Sequence, residues 1–281
     1  MQSKKVTLKA KTSKKPGSAK AGVSRPHVLL TNDDGHFATG ILALRREIAR
    51  FAEVTIVAPE TEQSAMSHSL TLHRPLRIRH VSPGIISVDG TPADCVYTAL
   101  CSQKKLFRSS PHVVLSGINH GPNLGQDVFY SGTVAGAREA ALRGKAAIAI
   151  SAEVGSDFTK IARVIATFTK RVLADRSFKG QLLSFNFPLG WKGEVKTAVL
   201  GTRLYEDLVD LRHDPRGRPY AWIGGAPRPD RGIAGTDGYL FERGIATVTP
   251  LILDLTLREK EGRERVATAL DAALGFVRTS R

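Results

Sequence analysis

From residue 27 onward the chain alternates short apolar runs with segments whose apolar residues recur at helical spacing. Residues 27–31 and 54–58 are predicted to be buried strands, and residues 40–51 between them an amphipathic helix. A strand, a helix and a second strand in this order form a βαβ unit, which requires a parallel sheet and a right-handed crossover. The pattern therefore predicts an α/β fold.

The alternation continues as far as residue 173. The further elements predicted by periodicity are, in chain order, a helix over 91–101, a strand over 112–118, a helix over 133–144, a strand over 147–151 and a helix over 161–173. Residues 67–81 instead alternate apolar and polar side chains, which predicts an antiparallel extension of the sheet. We expect a mostly parallel sheet with helices packed on it.

The character of the chain changes after Gly190. Strands are predicted over 196–205 and 245–257, and the Pro-, Gly- and Arg-rich residues 213–235 between them are predicted to form an exposed excursion. A last helix over 262–278 repeats Ala and Leu at helical spacing. We expect this helix to dock on the domain or on a neighbouring subunit.

The first 25 residues carry much of the positive charge. The net charge is +15, and this tail holds eight Lys and Arg residues and no acid, which leaves +7 for the remainder. It has no apolar periodicity, so it cannot bury enough surface to offset its ordering entropy, and it is predicted to be a disordered basic tail. Such a tail would either add salt-sensitive affinity for nucleic acid or anionic membrane, or be a simple solvated extension, which is the favoured interpretation.

Composition and cysteine spacing also indicate the cellular compartment of the protein. A chain of 281 residues with 42% hydrophobic content can bury a full core. Neither a secretory signal nor a membrane-spanning segment is expected from the pattern. Cys95 and Cys101 are six residues apart on a predicted helix, hence on different faces, so a disulfide between them is not expected. These features favour a reducing, cytoplasmic location.

Two adjacent carboxylates, Asp33 and Asp34, directly follow the first strand, at the sheet edge where parallel sheets bind their ligands. Adjacent carboxylates repel each other, and a fold tolerates them best when a cation or hydrogen-bond donors neutralise them. The alternative is that one aspartate caps the next helix and the other is solvated. Residues 60–64 and 116–123 follow two further strands of the same edge, and they add hydroxyl and amide oxygens. An all-oxygen set of this kind suits Mg²⁺ or Mn²⁺.

A loop containing Gly132 opens a helix of small residues within 130–137. Backbone N–H groups and the helix dipole at such a start attract phosphate, although Ser-Gly-Thr before a helix is also an ordinary N-cap signal. Beside a cation site, the phosphate interpretation gains weight.

Five short blocks between residues 31 and 134 resemble, in order and spacing, the signature blocks of the SurE nucleotidases. They are residues 31–35, 58–64 with 67–69 behind them, 90–96, 116–125 and 130–134. The resemblance is strong over 27–151 and weaker through 235–237 and 248–256.

The resemblance implies a metal-dependent phosphomonoesterase that hydrolyses nucleoside 5'- and 3'-monophosphates, and it leaves action on short polyphosphate open. It implies one Mg²⁺ or Mn²⁺ ion per subunit, with the ligands Asp33, Asp34, Ser64 and Asn119. It also implies a phosphate pocket formed by Asn123, Ser131, Gly132 and Thr133. One departure from the family is Ala65, which stands where glycine usually follows the metal-binding serine.

The fold that the resemblance implies is a Rossmann-like three-layer sandwich over residues 26–190. A smaller C-terminal oligomerisation region follows over 191–281, with a protruding hairpin for which residues 213–235 are the candidate. The expected assembly is a homodimer or a homotetramer.

Either Asp33 or Asp34 is expected to orient a water or take its proton; the competing hypothesis makes one of them the nucleophile, through an aspartyl-phosphate. His120 or His68 would protonate the leaving group, unless both are structural histidines.

Other functional classes are less well matched. A nucleotide-binding or nucleotide-sugar transferring Rossmann protein should have a Gly-rich turn after its first strand, where this chain has Asn-Asp-Asp-Gly over 32–35. A non-catalytic RNA-binding module should interleave basic and aromatic residues, but aromatics are only 6% of the chain. Deletion of residues 1–24 separates the classes, because a nucleotidase keeps its turnover and a nucleic-acid binder loses its affinity.

Overall fold

A computed structural model of the chain describes residues 25–102, 105–107, 109–202, 205, 208–225, 232–256 and 258–279, the last nine by their backbone. Except for Arg25, the predicted basic tail lies outside these residues. The strands are β1 His27–Thr31, β2 Glu53–Pro59, β3 Ile78–Ser82, β4 Ile85–Val88, β5 Val113–His120, β6 Ala146–Ala152, β7 Leu182–Phe187, β8 Val195–Thr197, β9 Leu208–His213, β10 Pro219–Gly224 and β11 Ala246–Leu251. The helices are α1 Thr39–Ile48, α2 Pro92–Cys101, α3 Asp127–Tyr130, α4 Gly132–Leu142, α5 Phe158–Ala174, α6 Asp237–Phe241 and α7 Lys260–Thr279.

A nine-stranded sheet in the order β3-β4-β2-β1-β5-β6-β7-β11-β8 forms the centre of the molecule. The run from β4 to β7 is parallel throughout, and antiparallel pairings join β3 to β4 and β11 to β7. The predicted α/β class with a mostly parallel sheet is therefore confirmed.

Helices cover both faces of the sheet, as a three-layer sandwich requires. One face packs Val28, Leu30 and Leu115 against the apolar sides of α1 and α5. The other packs Leu29, Val57 and Val114 against α2 and α4. Alternate residues of the same central strand thus enter different cores, which explains why β1 reads as a continuous apolar run rather than as an alternating one.

The chain reverses its direction of travel across the sheet at β1. From β1 it proceeds to β2 and β4 on one side and then returns to β5 on the other. Loops that leave the carboxyl ends of β1 and β5 therefore diverge and open a crevice between them, which is where open α/β sheets bind ligands. The predicted site residues that follow β1 and those at the end of β5 lie at this point.

The sheet continues beyond residue 190, because β8 and β11 both belong to it. The division into domains at residue 190 remains a prediction. The C-terminal strands are shorter than predicted: β8 ends at Thr197 and β11 at Leu251, and residue 257 lies outside the described residues. An antiparallel hairpin is formed by β9 and β10 over residues 208–224, so it begins before the predicted excursion of residues 213–235 and overlaps only its first half. Residues 260–270 of α7 are exposed apart from Gly262.

Both cysteines are free thiols, with Cys95 buried and Cys101 exposed, as their spacing predicted. None of the helices within the described ranges is both long enough and apolar enough to cross a membrane.

Candidate functional site

Asp33 and Asp34 lie just after β1, at the crevice. Asp33 is 4% exposed and Asp34 is half-buried. Burial raises the pKa of the Asp33 carboxyl to about 6, although a hydrogen bond from Thr133 lowers it. Burial also raises the pKa of Asp34, while the neighbouring His120 lowers it. A cation beside the pair would favour the ionised form of both groups. The N-cap of α1 is Ala38, so neither aspartate caps that helix.

The amino end of α4 lies directly against Asp33. The Thr133 hydroxyl donates a hydrogen bond to Asp33 Oδ1. A Cβ added to Gly132 would lie 3.0 Å from both Cβ and Oδ2 of Asp33, and 3.1 Å from the carbonyl oxygen of Gln63. A side chain at position 132 would therefore push the helix away from the carboxylate, and only glycine permits this approach.

Ser131 is the N-cap of α4, and its Oγ accepts a hydrogen bond from Val134 N at 3.0 Å. The Ser-Gly-Thr motif therefore caps the helix, which is one of its two predicted roles. The phosphate interpretation is compatible with it, because the hydroxyl can still donate. The N–H groups of Gly132 and Thr133 lie in the first turn, which has no intrahelical acceptors for them. Such groups are suited to an anion, and the Thr133 N–H already faces the Asp33 carboxyl, whose pKa it helps to lower.

Ser64 lies in the loop after β2, next to Gln63, which contacts Asp33. The backbone N–H of Gln63 donates to Asp33 O at 2.8 Å, which brings this loop against the one after β1. The Ser64 hydroxyl is exposed and donates to Glu62 Oε1 at 2.8 Å. Its lone pairs are therefore directed away from Glu62 and can accept a cation.

Further along, hydrogen bonds fasten the same loop to the end of α3 and to α4. Ser67 N donates to Tyr130 O at 2.9 Å. His68 Nε2 lies 2.9 Å from Glu139 Oε2, and Arg143 pairs with the other oxygen of that carboxylate at 2.7 Å. His68 therefore anchors the Ser64 loop to the helix whose start is the predicted phosphate site.

Asn119 is the next to last residue of β5, and its Nδ2 donates to Gly121 O at 2.8 Å. Since the nitrogen is used in this way, Oδ1 is the atom that the side chain offers to a cation. His120 follows it and is exposed, with its Nε2 3.3 Å from Thr39 Oγ1 and its ring stacked on Phe158 at 4.9 Å. Of the two histidines considered for proton transfer, His120 is the one beside Asp34.

Asn123 is 9% exposed, and its Nδ2 donates to Ser151 Oγ at 2.8 Å. Phosphate binding would require this nitrogen to point outward. The carboxamide can rotate to do so and keep a hydrogen bond to Ser151, because the serine hydroxyl can donate to Oδ1 as well as accept from Nδ2. The backbone of Asn123 is bonded to the side chain of Asn186.

Two buried oxygen atoms give separate support for a divalent cation near Asp34. Within the described ranges, Asp34 Oδ2 and Asn32 Oδ1 are buried oxygens with no hydrogen-bond partner. Buried acceptors without a donor are costly, and a cation satisfies them. The described residues contain no group of three or more His, Cys, Asp or Glu side chains that could hold a metal. The neutral oxygens of Ser64 and Asn119 are of the type that a hard ion accepts.

Comparison with known proteins identifies the family. The family model described as "Survival protein SurE" matches residues 28–207. The "5'-nucleotidase SurE" of Sorangium cellulosum is 47% identical over 245 residues, which are 85% of this chain and 94% of that protein. That of Anaeromyxobacter dehalogenans is 49% identical over 82% of this chain and 91% of its own length. This chain belongs to the SurE family.

The crystal structure of the SurE protein from Aquifex aeolicus has the same fold. It superposes with a TM-score of 0.71 at 38% identity, covering 88% of this chain and all of that one. The resemblance that the five sequence blocks indicated is therefore confirmed.

Two SurE residues at this site were missed by the sequence analysis. Asn186 on β7 holds Asn123, and Asp237 accepts the N–H of Gly125 at 2.9 Å in the same loop. Both are distant in sequence from the five blocks. The only available signals were a polar residue within an apolar strand and the weakly matching segment 235–237.

Proposed function

We propose that this SurE protein is a metal-dependent 5'-nucleotidase, a hydrolase that releases phosphate from nucleoside monophosphates. The names of the curated relatives support the activity. The observation that carries the assignment is the close approach of the first turn of α4 to Asp33 at the sheet crevice. This arrangement puts an anion-binding helix start beside a carboxylate pair suited to a cation.

Asp33, Asp34, Ser64 and Asn119 would hold one divalent ion, for which Mg²⁺ and Mn²⁺ are the proposed identities. When bound, such an ion supplies positive charge for a phosphate oxygen and lowers the pKa of a water.

The chain's own residues would position and stabilise the phosphoryl group. The N–H groups of Gly132 and Thr133, together with the Asn123 carboxamide, would donate to its outer oxygens as charge develops there. The Thr133 hydroxyl fixes the rotamer of Asp33. Asp34, whose buried Oδ2 has no hydrogen-bond partner among the described residues, would orient the attacking water and accept its proton.

His120 is the proposed proton donor for the leaving alkoxide, because it is exposed and lies beside Asp34. His68 is instead hydrogen-bonded to Glu139. The competing pathway uses an aspartate as nucleophile. Rapid quenching distinguishes the two, since only that pathway leaves phosphate covalently bound to the protein.

The proposed substrates are nucleoside 5'- and 3'-monophosphates, and short polyphosphate is a further substrate to be tested. The proposed assembly is a homodimer or homotetramer formed by the C-terminal region, in the cytoplasm. Six large apolar side chains of the β9–β10 hairpin support the assembly, because they are exposed to solvent in the single chain: Leu208, Val209, Leu211, Tyr220, Trp222 and Ile223.

The activity is tested by phosphate release from a panel of nucleoside monophosphates with Mg²⁺, Mn²⁺ or a chelator. We expect turnover that requires the metal and falls by at least about 100-fold in Asp34→Asn. Asp210→Asn, a surface carboxylate on the hairpin, is the matched control and should be as active as wild type. Equal turnover of Asp34→Asn and wild type would remove Asp34 from the mechanism.

A further inference from the structure

The side chain of Asn186 holds the backbone of the loop that carries Asn123. Its Oδ1 accepts a hydrogen bond from Asn123 N at 2.7 Å, and its Nδ2 donates to Asn123 O at 3.1 Å. The carboxamide thus satisfies both backbone groups of one residue, as a neighbouring strand would do. Two bonds of opposite direction fix both the position and the orientation of that peptide segment.

Strand pairing explains why Asn186 can reach this loop. Asn186 lies on β7, is 1% exposed, and is paired in register with Ser151 of β6. Ser151 accepts a hydrogen bond from Asn123 Nδ2 at 2.8 Å. Adjacent positions on two rigid central strands therefore contact the backbone and the side chain of Asn123, respectively. A residue held on a buried strand is a more precise support than a residue held on a loop.

We propose that Asn186 is a positioning residue for phosphate recognition: it sets the location and direction of the Asn123 carboxamide and does not touch the substrate. This inference rests on the proposed function, in which Asn123 donates to the phosphoryl group. A displacement of about 1 Å at such a group can cost about 100-fold in rate. Removal of the Asn186 carboxamide takes away both hydrogen bonds that fix the Asn123 backbone.

The same strand supplies a matched control. Ser184 precedes Asn186 by two residues, so both point to the same face of the sheet, and both are 1% exposed. Among the described residues, the Ser184 hydroxyl has no hydrogen-bond partner. Ser184→Ala therefore removes a buried polar atom from the same strand face without removing a bond to the loop.

The test compares wild type, Asn186→Ala, Asn123→Ala, the double variant and Ser184→Ala. For each we would measure kcat and KM with adenosine 5'-monophosphate and Mg²⁺, the affinity for Mg²⁺ alone, and the affinity for inorganic phosphate by titration calorimetry. Asn186→Ala should lose about 10- to 100-fold in kcat/KM and weaken phosphate binding, with Mg²⁺ affinity unchanged. In the Asn123→Ala background, the same change should alter kcat/KM by less than about threefold, because the group being positioned is gone. Ser184→Ala should match wild type.

Two results would overturn the inference: phosphate affinity and kcat/KM of Asn186→Ala equal to wild type, or losses that multiply fully with those of Asn123→Ala. If Asn186→Ala does not fold, Asn186→Ser is measured in its place under conditions where circular dichroism shows a native fold. A wild-type protein that binds phosphate but hydrolyses no nucleotide would refute the proposed activity alone, and the phosphate titrations would still decide the role of Asn186. A wild-type protein that binds no phosphate would refute both.

Discussion

Thr133 links the two halves of the proposed site. Its hydroxyl donates to Asp33, while its backbone N–H belongs to the first turn of α4. The side chain is fully buried. Thr133 therefore orients a carboxylate that is proposed to bind the cation, and it presents a backbone donor at the proposed phosphate pocket. Loss of its hydroxyl should change the affinity of the site for the metal.

We expect Thr133→Val to weaken Mn²⁺ binding by about 10- to 100-fold, because it removes a donor that orients a ligand and leaves a buried carboxylate oxygen unpaired. Thr133→Ser keeps the donor and should bind Mn²⁺ nearly as wild type does. Titration calorimetry of the two variants measures the difference. Identical Mn²⁺ affinity in Thr133→Val would show that this hydrogen bond does not support the site.

Glu139 stabilises the fold in a pH-dependent way. Burial raises the pKa of its carboxyl, but the hydrogen bonds from His68 and Arg143 outweigh burial, and the pKa lies below its usual value of 4.5. Since the folded-state pKa is below the unfolded one, the stabilisation is complete above pH 4.5 and is lost as the pH falls through the folded-state pKa.

Glu139→Gln should therefore lower the free energy of unfolding by about 1–3 kcal/mol at neutral pH, and the difference from wild type should shrink in acid. Urea unfolding across this pH range measures both values. Glu194→Gln, in which an exposed pair with Lys196 is lost, should show almost no difference at any pH. A Glu139→Gln deficit that persists unchanged in acid would contradict the assignment.

The sequence predicts individual site residues where a suitable side chain directly follows a predicted strand. Adjacent carboxylates after an apolar strand identify Asp33 and Asp34 as candidates, and the Ser-Gly-Thr motif before a helix predicts the cap by Ser131. No sequence pattern predicts that Thr133 would hydrogen-bond to Asp33. Ala65 illustrates the opposite case. It stands where the family usually has glycine, and its φ of +57° is in the left-handed region that glycine favours, so the chain accepts backbone strain of about 1–2 kcal/mol beside the site.

The loop between β5 and α4 is held by several separate elements. Besides Asn186 of β7, Asp237 at the start of α6 accepts N–H groups from Gly125, Gly201 and Gly238 at 2.7 to 2.9 Å. Asp237 is 1% exposed. A buried carboxylate with three backbone donors connects the C-terminal part of the chain to the proposed phosphate pocket.

Asp237→Ala should lower the free energy of unfolding by about 2–3 kcal/mol, because it leaves backbone donors unpaired, and it should reduce kcat as the loop loosens. Asp175→Ala is the control: that exposed carboxylate caps a short 3-10 turn through Ser177 N, and its loss should cost no more than about 1 kcal/mol. Thermal unfolding together with turnover checks the pair. Wild-type stability in Asp237→Ala would show that α6 does not restrain this loop.

Periodicity predicted the central strands β1, β2, β5 and β6, and it failed where local pattern and tertiary pairing disagree. Residues 67–81 alternate in polarity, but only the end of that stretch forms β3, because Ser67 and Thr71 bond to Tyr130 and Asp94 instead of to a strand. The strands β4 and β7 were not predicted. Each is short and depends on parallel pairing with a distant strand, which a single-sequence pattern does not reveal.

The exposed hairpin determines the expected behaviour of the whole molecule. Trp222 is 65% exposed and Ile223 is 90% exposed. Apolar side chains of this size on a projecting element favour burial against a second copy. Joint substitution of Trp222 and Ile223 by Ser should therefore shift the assembly toward single chains, as measured by light scattering on a sizing column. Leu72→Ser, at another strongly exposed position, should leave the mass unchanged. An unaltered assembly in the double variant would exclude the hairpin as its contact.

We expect oxygens at the ends of three strands to surround one divalent cation beside the start of α4. A crystal structure of the wild-type protein grown with Mn²⁺ tests it most directly, through the anomalous scattering of the metal. We predict a single strong peak per chain, coordinated by Asp33, Asp34, Ser64 and Asn119 and facing the N–H groups of Gly132 and Thr133. A peak elsewhere, or these four side chains remaining too far apart to share an ion, would contradict the account.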